Sequence, residues 1–97
     1  MASITRTAQA GTLESSDVMI TVTPGAQGSG TVIELESIVF AQYGEDIKNL
    51  LKKTIEMQGI SDIYIKAVDR GALDCTIYAR TLAALSRAGA VLKEGML

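Results

Sequence analysis

At 97 residues, with 47% apolar and 21% charged side chains, the chain is long enough for one modest hydrophobic core and too short for a second domain. Nine basic residues against eleven acidic ones leave a net charge of -2, and no Lys/Arg stripe of the kind that binds a nucleic-acid backbone is present. There is no histidine and one cysteine, Cys75, which removes Ser-His and Cys-His nucleophilic pairs, the usual zinc sites and any internal disulfide. No apolar run approaches the roughly 18 residues of a membrane span, and residues 1–7 lack the apolar core of a secretory signal. The expectation is a cytoplasmic protein, with neither nucleic acid nor membrane among its partners, and with an independent enzyme as the least favoured class.

In chain order, residues 1–16 show no period and are expected to be irregular and flexible. Val18, Ile20 and Val22 then alternate with Met19, Thr21 and Thr23, which predicts a strand over 17–23. The Gly/Pro-rich segment 24–30 ends it as a loop; without the Lys-Ser/Thr of a P-loop, it is not read as a phosphate cradle. Alternation resumes over 31–36, and the economical reading is a hairpin in which this strand returns antiparallel to the first. Glu34 and Glu36 share one face of it and are read as solvated acids rather than an acid-base pair.

Between Ser37 and Gly59 the period becomes helical: Ile47, Leu50, Leu51, Thr54, Ile55 and Gln58 recur at threes and fours, and Gly59 is placed to stop the helix. Whether residues 38–43 belong to that helix is left open by Gly44, which costs about 1 kcal/mol inside a helix relative to Ala. Lys48, Lys52 and Lys53 are read as a wet helix face. Alternation returns over 61–68, followed by the turn Asp69-Arg70-Gly71. The next stretch has two readings. Leu73, Cys75, Ile77 and Ala79 alternate, and Asp74-Cys75-Thr76 is poor helix material, so a strand over 72–80 paired with 61–68 is favoured over a helix starting near Leu73. On the strand reading Cys75 is a small buried apolar residue. A last helix runs over 81–88 to Gly89, with fraying beyond. The sum is a single α+β domain of two β-hairpins, a central helix and a C-terminal helix, ββαββα, or ββαβα if 72–80 is helical.

The stretch Gly11-Thr12-Leu13-Glu14-Ser15-Ser16-Asp17-Val18-Met19-Ile20 places two adjacent hydroxyls immediately before an apolar strand. Read from residues alone it is a polar, turn-like segment whose hydroxyls can satisfy local backbone groups. With no base to activate it, a serine here needs only to be reachable by a separate modifying enzyme. Together with Gly71-Ala72-Leu73-Asp74-Cys75 and Arg80, the stretch resembles the small acyl carrier subunit (gamma chain) of bacterial citrate lyase, and the likeness extends over nearly the whole chain. The resemblance implies a non-catalytic carrier whose serine directly after Thr-Leu-Glu, Ser15, holds 2'-(5''-triphosphoribosyl)-3'-dephospho-CoA through a phosphodiester. It also implies partners: an alpha (transferase) and a beta (lyase) subunit, a prosthetic-group transferase and an acetate-activating ligase. Together these cleave citrate to oxaloacetate and acetate by way of acetyl and citryl thioesters. Glu14 and Asp17 are candidate recognition residues for the modifying enzyme; no catalytic or metal-ligating residue is assigned. The alternatives are the related carrier subunit of malonate decarboxylase and a non-enzymatic small-molecule-binding α+β module.

Overall fold

The computed structural model describes residues 4–38 and 40–92. Six elements follow in order: β1 (Ala8–Gly11), β2 (Val18–Pro24), β3 (Thr31–Ser37), α1 (Phe40–Met57), β4 (Ile63–Asp69) and α2 (Asp74–Arg87). The strands form one sheet in the order β1-β2-β4-β3, with β1/β2 and β2/β4 antiparallel and β3/β4 parallel. The expected α+β class, with four strands, a central helix and a C-terminal helix, is what the chain adopts.

The centre of the sheet goes to the strand best able to bury both edges. Ile63, Ile65 and Ala67 of β4 are fully buried, and they stand opposite Pro24, Val22 and Ile20 of β2 on one side and Thr31, Ile33 and Leu35 of β3 on the other. Both helices pack on the same face, α1 beside β3 and α2 across β1 and β2. Helix α1 contributes Ile47, Leu51, Thr54 and Ile55, with Gln58 just past its end, and α2 contributes Ile77, Thr81, Ala84 and Leu85, all buried. The two threonines are tolerated because each hydroxyl donates to the carbonyl four residues earlier, Thr54 to Leu50 at 2.8 Å and Thr81 to Ile77 at 2.7 Å. The opposite sheet face is polar: Gln9 donates to Thr21, Tyr64 donates to the Glu34 carboxylate, and Glu34 lies in register with Lys66. The pairing with Glu34 pushes the Tyr64 phenol up. Glu34 and Glu36 are exposed, as expected, and so are Lys52 and Lys53.

Four expectations need correction. The strands over 17–23 and 31–36 exist but are not a hairpin, because β4 inserts between them. Segment 24–30 is long enough to cross the end of β4, and Asp62 pins it there. The Asp62 carbonyl accepts from Gly25 N–H at 2.6 Å, and its side chain accepts from Gly30 N–H at 2.9 Å. The stretch 72–80, expected as strand, instead leads into α2, which is helical from Asp74. The buried stripe Ile77, Thr81, Ala84 and Leu85 outweighs the weak propensity of Asp74-Cys75-Thr76, and Asp74 in the first turn favours the helix dipole. Cys75 is consequently exposed, not buried. Finally, residues 8–11 pair with β2 instead of being irregular. Ile4 and Ala10 are buried, and Thr5 N–H bonds the Ala88 carbonyl at 2.8 Å. From Val18 onward the order is the ββαβα alternative, with β1 added in front.

Helix α1 runs through Gly44 without a break. Ala90 is buried and its N–H bonds the Leu85 carbonyl, so fraying does not begin at Gly89; residues 93–97 lie outside those described.

Candidate functional site

The actual hairpin of the sheet is β1–β2, and its connection, residues 12–17, carries both serines. Gly11 closes β1 with φ +101°, and a Cβ there would fall 1.8 Å from the Val18 carbonyl oxygen, so only glycine fits. Asp17 N–H bonds the Glu14 carbonyl at 3.2 Å, which makes 14–17 a tight four-residue turn with Ser15 and Ser16 at its two corners. Ser16 has φ 65°, the left-handed geometry that the second corner of such a turn demands. Ser16 N–H also donates to the Arg70 carbonyl at 2.8 Å, and Arg70 N–H donates to the Asp17 carbonyl at 2.9 Å. Two residues of one strand thus face one of the other, a β-bulge that redirects the chain at the edge of the ladder.

Asp17 is the hub that holds this turn. Its carboxylate accepts from Arg80 Nε at 3.1 Å and Arg80 Nη2 at 2.8 Å, from the Thr12 hydroxyl at 2.7 Å and from its neighbour Val18 N–H at 2.8 Å. These donors, the Arg80 guanidinium first, lower its pKa from the ordinary 3.8 to about 2. The Thr12 hydroxyl in turn accepts from Glu14 N–H at 3.2 Å. Asp17 is only 15% exposed in this pair.

Three of the residues singled out in the sequence therefore share one turn and have separate roles in it. Glu14 is exposed, Asp17 is committed to structure, and Ser15 stands at the outer corner, exposed. Among the described residues neither serine hydroxyl has a hydrogen-bond partner. Sequence reading missed the Asp17–Arg80 pair because it requires α2 to be a helix that turns Arg80 toward the β1–β2 connection. The function of Thr12 in bracing that connection was equally hidden; a Thr five residues before an Asp is its only signal.

A second feature is an open groove of about 580 Å³ between α1 and the start of α2, lined by Tyr43, Asp46, Ile47, Ala72, Leu73, Asp74 and Cys75. The approach to α2 is fixed by buried Asp69, whose carboxylate accepts from Gly71 and Ala72 N–H at 3.2 and 3.0 Å and from the Ser37 hydroxyl at 2.8 Å. Among the described residues no three His, Cys, Asp or Glu side chains gather as metal ligands, and no helix is long and apolar enough to cross a membrane.

A small α+β domain thus presents two exposed serines on a braced hairpin turn, and comparison with known proteins defines its family. Residues 5–88 match the acyl carrier family described as Malonate decarboxylase delta subunit, and the chain belongs to that family. Its curated relatives include the citrate lyase acyl carrier protein of Halothermothrix orenii, 53% identical over 91 residues that span 94% of this chain and 95% of the relative. That of Streptococcus equi subsp. equi is 52% identical over 88 residues, 91% of this chain and 85% of the relative. In fold the chain is similar to a chain of a Pseudomonas malonate decarboxylase hetero-tetramer in complex with malonate. That match has a TM-score of 0.74 at 20% identity and covers 87% of this chain and 84% of that one.

Proposed function

We propose that this chain is the non-catalytic acyl carrier subunit of citrate lyase and that Ser15 Oγ is the point of covalent attachment of its prosthetic group. The observation that carries the reading is the place of Ser15 at the first, exposed corner of a turn whose frame is braced on both sides. Thr12, Asp17 and the Ser16 N–H are hydrogen-bonded and hold the turn; the hydroxyls of Ser15 and Ser16 are both exposed, and Ser15 is the one directly after Thr-Leu-Glu, the position modified in the family pattern. A hydroxyl that a transferase must esterify has to be free and presented in one place, and these residues fit that need.

The group, 2'-(5''-triphosphoribosyl)-3'-dephospho-CoA, supplies a terminal thiol for acyl transfer. The chain's own contribution is mechanical: Gly11, the bulge at Ser16 and the Asp17–Arg80 pair fix the origin of the arm while leaving its far end free. Tethering raises the local concentration of the arm at successive active sites to the millimolar range expected of short flexible links. The partners on this reading are the alpha (transferase) and beta (lyase) subunits, the prosthetic-group transferase and the acetate-activating ligase, in the cytoplasm. Recognition by the transferase falls to exposed Glu14 more than to Asp17, whose carboxylate is already occupied.

The family description and the fold match favour a second reading, the carrier of malonate decarboxylase. Identity of 53% to a citrate lyase acyl carrier protein over almost the whole length of both chains puts citrate lyase ahead.

The test is co-expression with the prosthetic-group transferase followed by peptide mass spectrometry. A single phosphate-containing adduct on the Ser15 peptide, absent in Ser15→Ala and kept in Ser16→Ala, is the expected result. Unmodified protein in the presence of active transferase refutes it and leaves the groove beside Leu73 as the basis for a small-molecule-binding module. Loaded carrier that restores malonate decarboxylase and not citrate lyase would select the second reading.

A further inference from the structure

Three segments meet at one end of the sheet. Val18, Asp69 and Ser37 stand in one row across β2, β4 and β3, so the serine turn that enters Val18, the loop that leaves Asp69 and the start of α1 all issue from that row. Buried Asp69 ties the last two together through Ser37, Gly71 and Ala72, and the Arg70 carbonyl ties the loop to Ser16. The groove opens here, with Ala72 and Leu73 on one wall and Tyr43 and Ile47 on the other. Among the described residues six large apolar side chains are exposed, and four of them, Leu13, Ile38, Tyr43 and Leu73, belong to these segments. The exposed acids Glu14, Glu45, Asp46 and Asp74 belong to them too. Positive charge is less available: Arg80 is engaged by Asp17, Lys48 is half-buried, and exposed Lys52 and Lys53 come later along α1. The end of the domain that carries Ser15 is therefore apolar and acidic, with a groove in it.

We propose that this groove is the docking site of the prosthetic-group transferase, which fills it with an apolar side chain flanked by cationic ones. The inference rests on Ser15 being the attachment point and adds where the modifying enzyme grips. Two arguments name the occupant. The transferase has to enclose the Ser15 hydroxyl to esterify it, so the surface beside the turn is the surface it meets, whereas the catalytic subunits need only the far end of the arm. It also holds a donor that bears several phosphates, and a site that binds phosphates is lined by Lys and Arg. Such a face complements the acids at this end of the carrier. Tyr43 and Leu73 are the anchors on this view, and Asp46 and Asp74 are the charges that steer the encounter. A cluster of uncovered apolar side chains rimmed by charge is the surface that a protein partner covers.

Cys75, the single cysteine, is exposed and lines the groove, which makes it a native probe. Unloaded carrier is alkylated with N-ethylmaleimide, alone and with saturating donor-free transferase, and the modification is read on the carrier by mass spectrometry. The transferase should slow alkylation of Cys75. In loading assays Leu73→Ala and Tyr43→Ala, with thermal midpoints near that of wild type, should each raise the KM for carrier about tenfold and leave kcat unchanged. Asp46→Asn combined with Asp74→Asn should flatten the salt dependence of kcat/KM. Val32→Ala, on the open face of the sheet, should load as wild type does. A wild-type KM in both Leu73→Ala and Tyr43→Ala, or alkylation at one rate with and without transferase, overturns the proposal while leaving Ser15 as the attachment site. Protection of Cys75 that appears only in purified loaded carrier makes the arm the occupant and overturns it equally. Wild-type carrier that acquires no adduct on Ser15 is a separate result, which removes the attachment reading itself.

Discussion

Ser15 and Ser16 are chemically identical neighbours made unequal by the backbone. Ser16 sits at φ 65°, where a residue other than glycine is strained by about 1 kcal/mol, and its N–H is committed to Arg70. Ser16→Gly should therefore fold with stability within about 0.5 kcal/mol of wild type or above it, since glycine relieves the strain and returns part of the gain as entropy of the unfolded chain. It should also load as wild type does, whereas Ser15→Ala should not load at all. Chemical denaturation and mass spectrometry on the same samples check both halves, and a Ser16→Gly protein that folds but does not load contradicts the assignment.

Asp17 contributes to the acid response of the molecule, beside Asp62, whose carboxyl pKa is also lowered by the backbone N–H groups of Gly30 and Gly28. The pKa of Asp17 falls from 3.8 to about 2 on folding, so the ionised form favours the folded chain. That contribution is complete above the unfolded value and disappears as pH falls through about 2. The thermal midpoint of Asp17→Asn should lie below that of wild type at pH 6, and the gap should close as both are acidified from pH 4 toward pH 2. A gap that stays constant over that window means that another group is responsible.

Among the elements, α2 shows where local signals stop being sufficient. Over 73–80 alternation and helix period compete for the same apolar residues, and Ile77 satisfies both. What decides is distant: Ile77 is 1% exposed because α2 covers β1 and β2, while Leu73, its partner on the strand reading, is 71% exposed. Ile77→Ala should cost about 2–5 kcal/mol as a core truncation, and Leu73→Ala should stay within about 0.5 kcal/mol as a surface change. Comparable losses in urea unfolding of the two variants would restore the strand. By contrast α1 was readable from sequence because its stripe from Ile47 to Gln58 had no rival pattern, and β2 and β4 because their β-branched residues alternate over a full strand. β1 was not, since Ala8-Gln9-Ala10-Gly11 has no β-branched residue and too few residues to show a period; its strand character comes from pairing with β2 and packing under α2.

For the whole molecule, the strand order was the feature that the sequence withheld. Nothing in 24–30 says whether the chain turns back on itself or passes over a strand not yet made; only the burial of β4 on both edges explains why β2 and β3 part. That arrangement makes stability uneven. β4 is enclosed by two strands and covered by both helices' face of the sheet, so its amides should exchange with solvent only in global unfolding. The Ser15 amide, at the outer corner of the turn, should be among the fastest, and that of Ser16, tied to Arg70, clearly slower. Hydrogen exchange resolved by residue would show a flat profile across the turn if the bulge did not hold in solution.

The pair between Asp17 and Arg80 has one more consequence, which concerns how the protein is made. Ser15 leaves the ribosome well before α2, and the guanidinium that braces its turn lies 63 positions after Asp17, on a helix that closes against the first strand. A nascent or truncated chain lacking α2 has the serine without the bracing that presents it. On the proposed attachment at Ser15, the geometry that presents the serine exists only once synthesis has run through Arg80, so an enzyme that requires it would act only after α2 has been made.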